Sequence, residues 1–179
     1  MEEKISTIIG GRKLIVIVAG VSGVGKSTIG SLLAKKMGIL FIEGDEFHSQ
    51  ENIDKMQSNT PLTDEDRLPW ICRLRDVIYE VGLSGESAVL SCSALKEKYR
   101  KILVKRCGDY KMIWLYGDQS TIEKRVKKRD NHFMKVDMIK SQFNDIETPN
   151  NAICINISKT KGNIMQEILS KIEKHDLLH

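Results

Sequence analysis

Positions 20 to 27 read Gly-Val-Ser-Gly-Val-Gly-Lys-Ser, the spacing G-x-x-x-x-G-K-[ST]. Glycines let successive backbone N–H groups converge on phosphate oxygens, and a helix starting there adds the positive end of its dipole. Lys26 extends this cradle toward the outer phosphates, and the Ser27 hydroxyl is placed to ligate Mg²⁺. The expected occupant is a purine nucleoside triphosphate with its magnesium ion. Gly20, Val21, Ser22, Gly23, Val24, Gly25, Lys26, Ser27 and Thr28 are its predicted contacts.

A second group follows at Glu43-Gly44-Asp45. Carboxylates at i and i+2 project from the same side of an extended chain, so the two are predicted to share one site. One would stand in magnesium's water shell and the other would accept a proton from an attacking hydroxyl; a solvated acidic turn is the plainer alternative. Arg125 and Arg129, four apart on a predicted helix, face the same way. Arginines closing over a nucleotide neutralise the transferring phosphoryl group. The same spacing also fits a solvated basic face with Lys124, Lys127 and Lys128.

These groups need a scaffold that delivers them to one edge. The β-branched apolar run 14–18 reads as a strand covered on both faces, and it feeds the glycine loop and a helix over 27–37 that ends at Gly38. Further strands are predicted at 39–42, 88–92, 112–116 and 152–157, with helices near 70–81, 95–106, 119–129, 135–146 and 161–174. This alternation predicts an α/β fold, a doubly wound parallel five-stranded sheet with ligands beyond the carboxyl ends of the strands. Residues 1–179 read as one domain: a polar extension over 1–12, an irregular functional insertion over about 45–69 with a short helix near 50–58, and a lid over about 125–137.

Composition narrows the function classes. With 41% hydrophobic and 29% charged residues and three prolines, the chain is expected to fold around a core. The longest apolar run, from Leu14 to Val21, is far shorter than the roughly 20 residues a bilayer requires, and residues 1–12 have no apolar h-region. The expected compartment is therefore the cytoplasm, with no membrane partner. Four cysteines without a C-x-x-C pair argue against a zinc or dithiol site. A GTPase would be expected to show N-K-x-D, which is absent. A net charge of +4 keeps a nucleotide-switch or RNA-binding module open, but basic residues and aromatics do not interleave, and Glu43 and Asp45 would repel a nucleic-acid backbone. No nucleic-acid partner is expected.

An ordered set of motifs resembles the gluconate kinases (gluconokinases), small P-loop kinases similar in fold to shikimate and adenylate kinases. Beside Gly20 to Ser27, the set comprises Glu43-Gly44-Asp45-Glu46-Phe47-His48, Asn52-Ile53-Asp54-Lys55-Met56, Pro61-Leu62-Thr63-Asp64-Glu65-Asp66-Arg67 with Pro69-Trp70, Cys92-Ser93-Ala94-Leu95-Lys96 with Tyr99-Arg100, and His132-Phe133-Met134 followed by Ser141-Gln142-Phe143. The resemblance implies ATP-dependent phosphorylation of D-gluconate at its terminal hydroxyl, giving 6-phosphogluconate, by a homodimer. By position it matches Asp45 to the carboxylate near the acceptor hydroxyl, Glu43 to the magnesium shell, and Arg67, His48 and Lys96 to the sugar acid. With the cradle and the basic helix, the expected catalytic residues are Lys26, Asp45, Arg125 and Arg129, the magnesium groups Ser27 and Glu43, and the substrate-facing residues Asp45, His48, Arg67, Lys96 and His132. An anionic polyol does call for a cation and several hydrogen-bonding groups. Arg67 also follows three acids with which it would equally pair, and Lys96 would equally sit in solvent. Asp130-Asn131 before His132, and Ser158-Lys159-Thr160 without the usual proline, depart from the family pattern. A shikimate-type kinase is the nearest alternative, against which the Asp66-Arg67-x-Pro69-Trp70 and Cys92 to Lys96 segments argue.

Overall fold

The computed structural model describes residues 13–127 and 136–176. Strands β1 (Ile15–Ala19), β2 (Leu40–Glu43), β3 (Ala88–Ser91), β4 (Tyr110–Tyr116) and β5 (Ile153–Asn156) form one parallel sheet in the order β2-β3-β1-β4-β5. β1 is central and wholly buried, which accounts for its unbroken Ile-Val-Ile-Val-Ala run. Its Ile17 pairs with Leu90 on one side and Met112 on the other. β2, at an edge, leaves Leu40 and Phe41 exposed.

Helices α1 (Lys26–Met37), α2 (Gln50–Gln57), α3 (Asp64–Ser84), α4 (Glu97–Leu103), α5 (Gln119–Lys127), α6 (Val136–Asn144) and α7 (Lys161–Asp176) flank the sheet. α1 packs on β1, β2 and β3, and α7 on β5 and α1. α1 ends at Gly38, which is left-handed as the sequence predicts. The five expected strands are present with ends shifted by a residue or two.

Two helix expectations are corrected. The irregular stretch placed over 45–69 ends at Thr63, where α3 begins, six residues before the helix predicted at 70. Thr63 and Asp66 form a reciprocal capping box, the Thr63 hydroxyl accepting from the Asp66 amide and the Asp66 carboxylate from the Thr63 amide. Pro69 therefore lies inside the helix, and burial of Trp70, Ile71, Leu74 and Ile78 carries the helix through it. The helix expected over 95–106 is also shorter, with Lys96 as its N-cap after Ala94 at φ 40°. The polar extension, most of the expected lid, Arg129 and His132 fall outside the described residues.

Candidate active site

The chain leaves β1 through Gly20, whose φ of 140° and close approach leave no room for a side chain: a Cβ there would lie 2.5 Å from the Leu115 carbonyl oxygen. The loop then turns into α1. Val21 and Val24 are buried, fastening the loop to the core, while Ser22, Gly23, Gly25, Lys26, Ser27 and Thr28 line a cavity of 280 Å³ together with Asp45. Lys26 is itself buried, its Nζ donating to the Val21 carbonyl at 3.2 Å across the loop. A cavity walled by backbone amides, a lysine and three hydroxyls suits a chain of phosphates.

The carboxylates after β2 are arranged differently from the shared extended geometry predicted for them. Glu43 is the last residue of β2, and Gly44–Phe47 forms a 3₁₀ turn. Gly44 is needed here because a Cβ would meet the Ser91 carbonyl oxygen at 2.2 Å. The turn separates the two acids. The Ser91 hydroxyl donates to Glu43, which lines neither the phosphate cavity nor the adjoining one, whereas Asp45 lines both. Cys92, entirely buried at the end of β3, has its thiol pushed up to about 12 by burial, reinforced by the nearby charge of Asp45.

The adjoining cavity is bounded by Ser22, Asp45, His48, Arg67, Trp70, Ser93, Tyr99, Ser141 and Gln142, with Met56, Pro61, Leu62, Leu95 and Met138 as its apolar wall. It thus brings together three residues predicted to face an acceptor: Asp45, His48 and Arg67. Trp70 donates through Nε1 to the Gly44 carbonyl at 2.8 Å and stacks on His48, with the Asn52 amide 3.5 Å from the imidazole Nδ1. Burial lowers the His48 pKa; the Asp45 charge opposes this and Arg67 adds to it.

Arg67 is held from outside the cavity. Its guanidinium pairs with Asp145 at 3.2 Å and lies 6.0 Å from the Tyr99 ring centre. Lys96, expected to face the same ligand, does not line the cavity. Its ammonium group is tied to Asp64 at 3.0 Å and Asp145 at 3.3 Å. Hydrogen bonds from Lys98, Tyr99 and Lys96 hold the Asp64 carboxyl well below the usual carboxylate range. Nothing local in the sequence marks Asp64 or Asp145 for this anchoring role, because their partners lie far along the chain.

A third cavity, 380 Å³, opens on the other side of the glycine loop. Gly23, Val24, Gly25, Thr28, Ile29, Arg125, Ile157, Lys159, Lys161 and Ile164 line it. Arg125 anchors there by donating to the Ile157 carbonyl at 3.1 Å. The three cavities are continuous in their linings: the middle one shares Gly23, Gly25 and Thr28 with the third, and Ser22 and Asp45 with the first.

Among the described residues no group of three or more His, Cys, Asp or Glu side chains is placed to hold a metal. One hydroxyl, Ser27, and one carboxylate, Asp45, beside a phosphate cradle fit Mg²⁺, which keeps several waters and draws further ligands from bound phosphates.

A profile of the Shikimate kinase family matches residues 22–173. The thermosensitive gluconokinase of Escherichia coli (strain K12) is 47% identical over 133 residues, covering 74% of this chain and 71% of that protein. Two crystal structures match closely. A sugar kinase from Janibacter sp. HTCC2649 gives a TM-score of 0.84 at 36% identity over 88% of this chain and 93% of its own. A gluconokinase from Sinorhizobium meliloti 1021 gives 0.80 at 35% identity over 89% and 91%. No helix among the described residues is long and apolar enough to cross a membrane.

Proposed function

The chain belongs to the gluconokinase family, and from that premise we propose that it transfers the γ-phosphoryl group of ATP to the terminal hydroxyl of D-gluconate, giving 6-phospho-D-gluconate and ADP. The observation that carries this reading is the junction of the phosphate cavity with the Asp45–His48–Arg67 cavity at Ser22 and Asp45. An acceptor hydroxyl at Asp45 stands beside the outer phosphate.

In this reading the nucleoside occupies the third cavity, against Ile157 and Arg125, and the phosphates lie along the loop under Lys26. The acceptor oxygen attacks the γ-phosphorus as the bond to the β–γ bridging oxygen breaks. The hydroxyl proton passes to the Asp45 carboxylate, and ADP takes the electron pair of the broken bond. The transition state is loose, so alignment contributes more than proton removal. Ser27, with Asp45 through water in place of the expected Glu43, would hold Mg²⁺ against the phosphates, where the ion would supply charge neutralisation for the leaving group. Arg67 receives the gluconate carboxylate, and His48, kept neutral, exchanges hydrogen bonds with its hydroxyls. Arg129 and His132 join from the lid over about 125–137, and the stretch 45–63 with the start of α3 forms the acceptor side. The exposed Leu40 and Phe41 on the edge strand, with Leu32 on α1, support a homodimer, and the Asp45 carboxylate lining both cavities supports a small-molecule substrate over nucleic acid, whose backbone it would repel.

An ADP-release assay over gluconate, other aldonates, shikimate and nucleoside monophosphates tests this. Gluconate is expected to turn over fastest. Faster turnover of shikimate, the acceptor suggested by the family profile, would overturn the assignment.

A further inference from the structure

The motif Ser141-Gln142-Phe143 has no part in the transfer just described, yet it is where α6 meets the phosphate loop. Gln142 is buried, and both ends of its amide engage Ser22, 120 residues earlier in the chain. The Ser22 backbone N–H donates to Gln142 Oε1 at 2.7 Å, and Gln142 Nε2 donates to the Ser22 hydroxyl at 3.2 Å. Ser22 is buried as well. With Asp45 it is one of the two residues common to the phosphate and acceptor cavities, and Gln142 lines the acceptor cavity itself.

This pair does something that packing alone does not. α6 is already fastened by Met138 and Ile139, both buried, and by its contact with α5. An apolar side chain at 142 would add to that burial. A primary amide instead fixes direction, because its oxygen only accepts hydrogen bonds and its NH₂ only donates them. It also commits the Ser22 N–H to a protein acceptor, so this amide's orientation is set by α6, the helix that supplies Met138 and Ser141 to the acceptor wall.

We infer that Gln142 is a positioning residue that sets the mouth of the phosphate loop against the acceptor cavity, so that the outer phosphate and the acceptor hydroxyl are aligned by one side chain. The inference rests on the kinase reading, though not on the identity of the acceptor. Misplacing reacting groups by about 1 Å costs up to roughly a hundredfold in rate, whereas phosphate affinity comes from the rest of the loop. Gln142→Leu should therefore lower kcat by about ten- to a hundredfold, and the dissociation constant of a nonhydrolysable ATP analogue should change by less than about threefold, a split that a general loss of fold would not give. Ser22→Ala, which keeps the backbone leg, should lower kcat by a smaller factor. The double variant should be no slower than Gln142→Leu, because both changes cut the same link.

Turnover is measured with whichever panel acceptor the wild type uses, so rejection of gluconate counts against the functional assignment and not against Gln142. Retention of kcat within twofold in Gln142→Leu, or loss of activity matched by equal loss of analogue binding, would overturn the proposal. If Gln142→Leu does not fold, Ser22→Ala decides, an unchanged kcat overturning the proposal and a lowered one with analogue binding intact supporting it.

Discussion

The Trp70 indole lies flat on the His48 imidazole, ring centres 4.2 Å apart and planes 15° from parallel. The indole excludes water from one face of the imidazole, and burial lowers the His48 pKa below its ordinary 6.5. Between the lowered value and 6.5 the unfolded chain binds more protons, so stability rises with pH across that window and is flat above it. Acidifying from about pH 7 to about pH 5 should lower Tm more steeply in the wild type than in His48→Gln. Parallel Tm curves would mean that His48 titrates as it does in the unfolded chain.

Asp45 is expected to act on the acceptor and not on nucleotide affinity. General-base contributions run to roughly 10²–10⁴, and the loose transition state favours the lower end. Asp45→Asn should lower kcat by about a hundredfold while a nonhydrolysable ATP analogue still binds. Loss of analogue binding as well would show that Asp45 serves chiefly the magnesium side of the site and not the acceptor.

Gly44 makes the same residue testable without removing its charge. An alanine Cβ, 2.2 Å from the Ser91 carbonyl oxygen, has no flexible side chain to displace, so β2 must shift away from β3 and take Asp45 with it. Gly44→Ala should reduce kcat by about tenfold or more and lower Tm. Wild-type kinetics in a folded Gly44→Ala protein would show that the position of the turn is unimportant.

For Arg67 the expectation concerns one substrate only. Charge-assisted hydrogen bonds are worth about 1.5–3 kcal/mol, so Arg67→Ala should raise the KM for gluconate by about ten- to a hundredfold and leave that for ATP nearly unchanged. Asp145 keeps Lys96 as a partner at 3.3 Å, which limits the damage to the surrounding ion pairs. Equal rises in both KM values would assign Arg67 to the fold.

What could be read from the sequence follows the range of the interactions. The phosphate loop lies within eight consecutive residues and between a strand and a helix, so its local pattern suffices; β1, buried on both faces, is equally plain. The start of α3 is also local, in the Thr63-Asp64-Glu65-Asp66 capping box, but the polar, irregular look of 45–69 hides it, and burial of Trp70 and Ile71 carries the helix through Pro69. The spacing of Glu43 and Asp45 misled because the i, i+2 rule holds only while the chain stays extended, and the 3₁₀ turn begins at the residue between them. The anchoring of Arg67 and Lys96 by Asp145, and of Ser22 by Gln142, had no local signal at all, since these partners meet only when the sheet has formed.

The phosphate and acceptor cavities adjoin, with Ser22 and Asp45 in the linings of both. A single inhibitor that carries a sugar acid at one end and an adenosine polyphosphate at the other therefore needs almost no tether. Joining two ligands turns the second binding event into an intramolecular one whose effective concentration falls as the linker lengthens. This shared wall is thus the feature that makes a short bisubstrate compound, rather than a competitor for either half alone, the ligand matched to this protein.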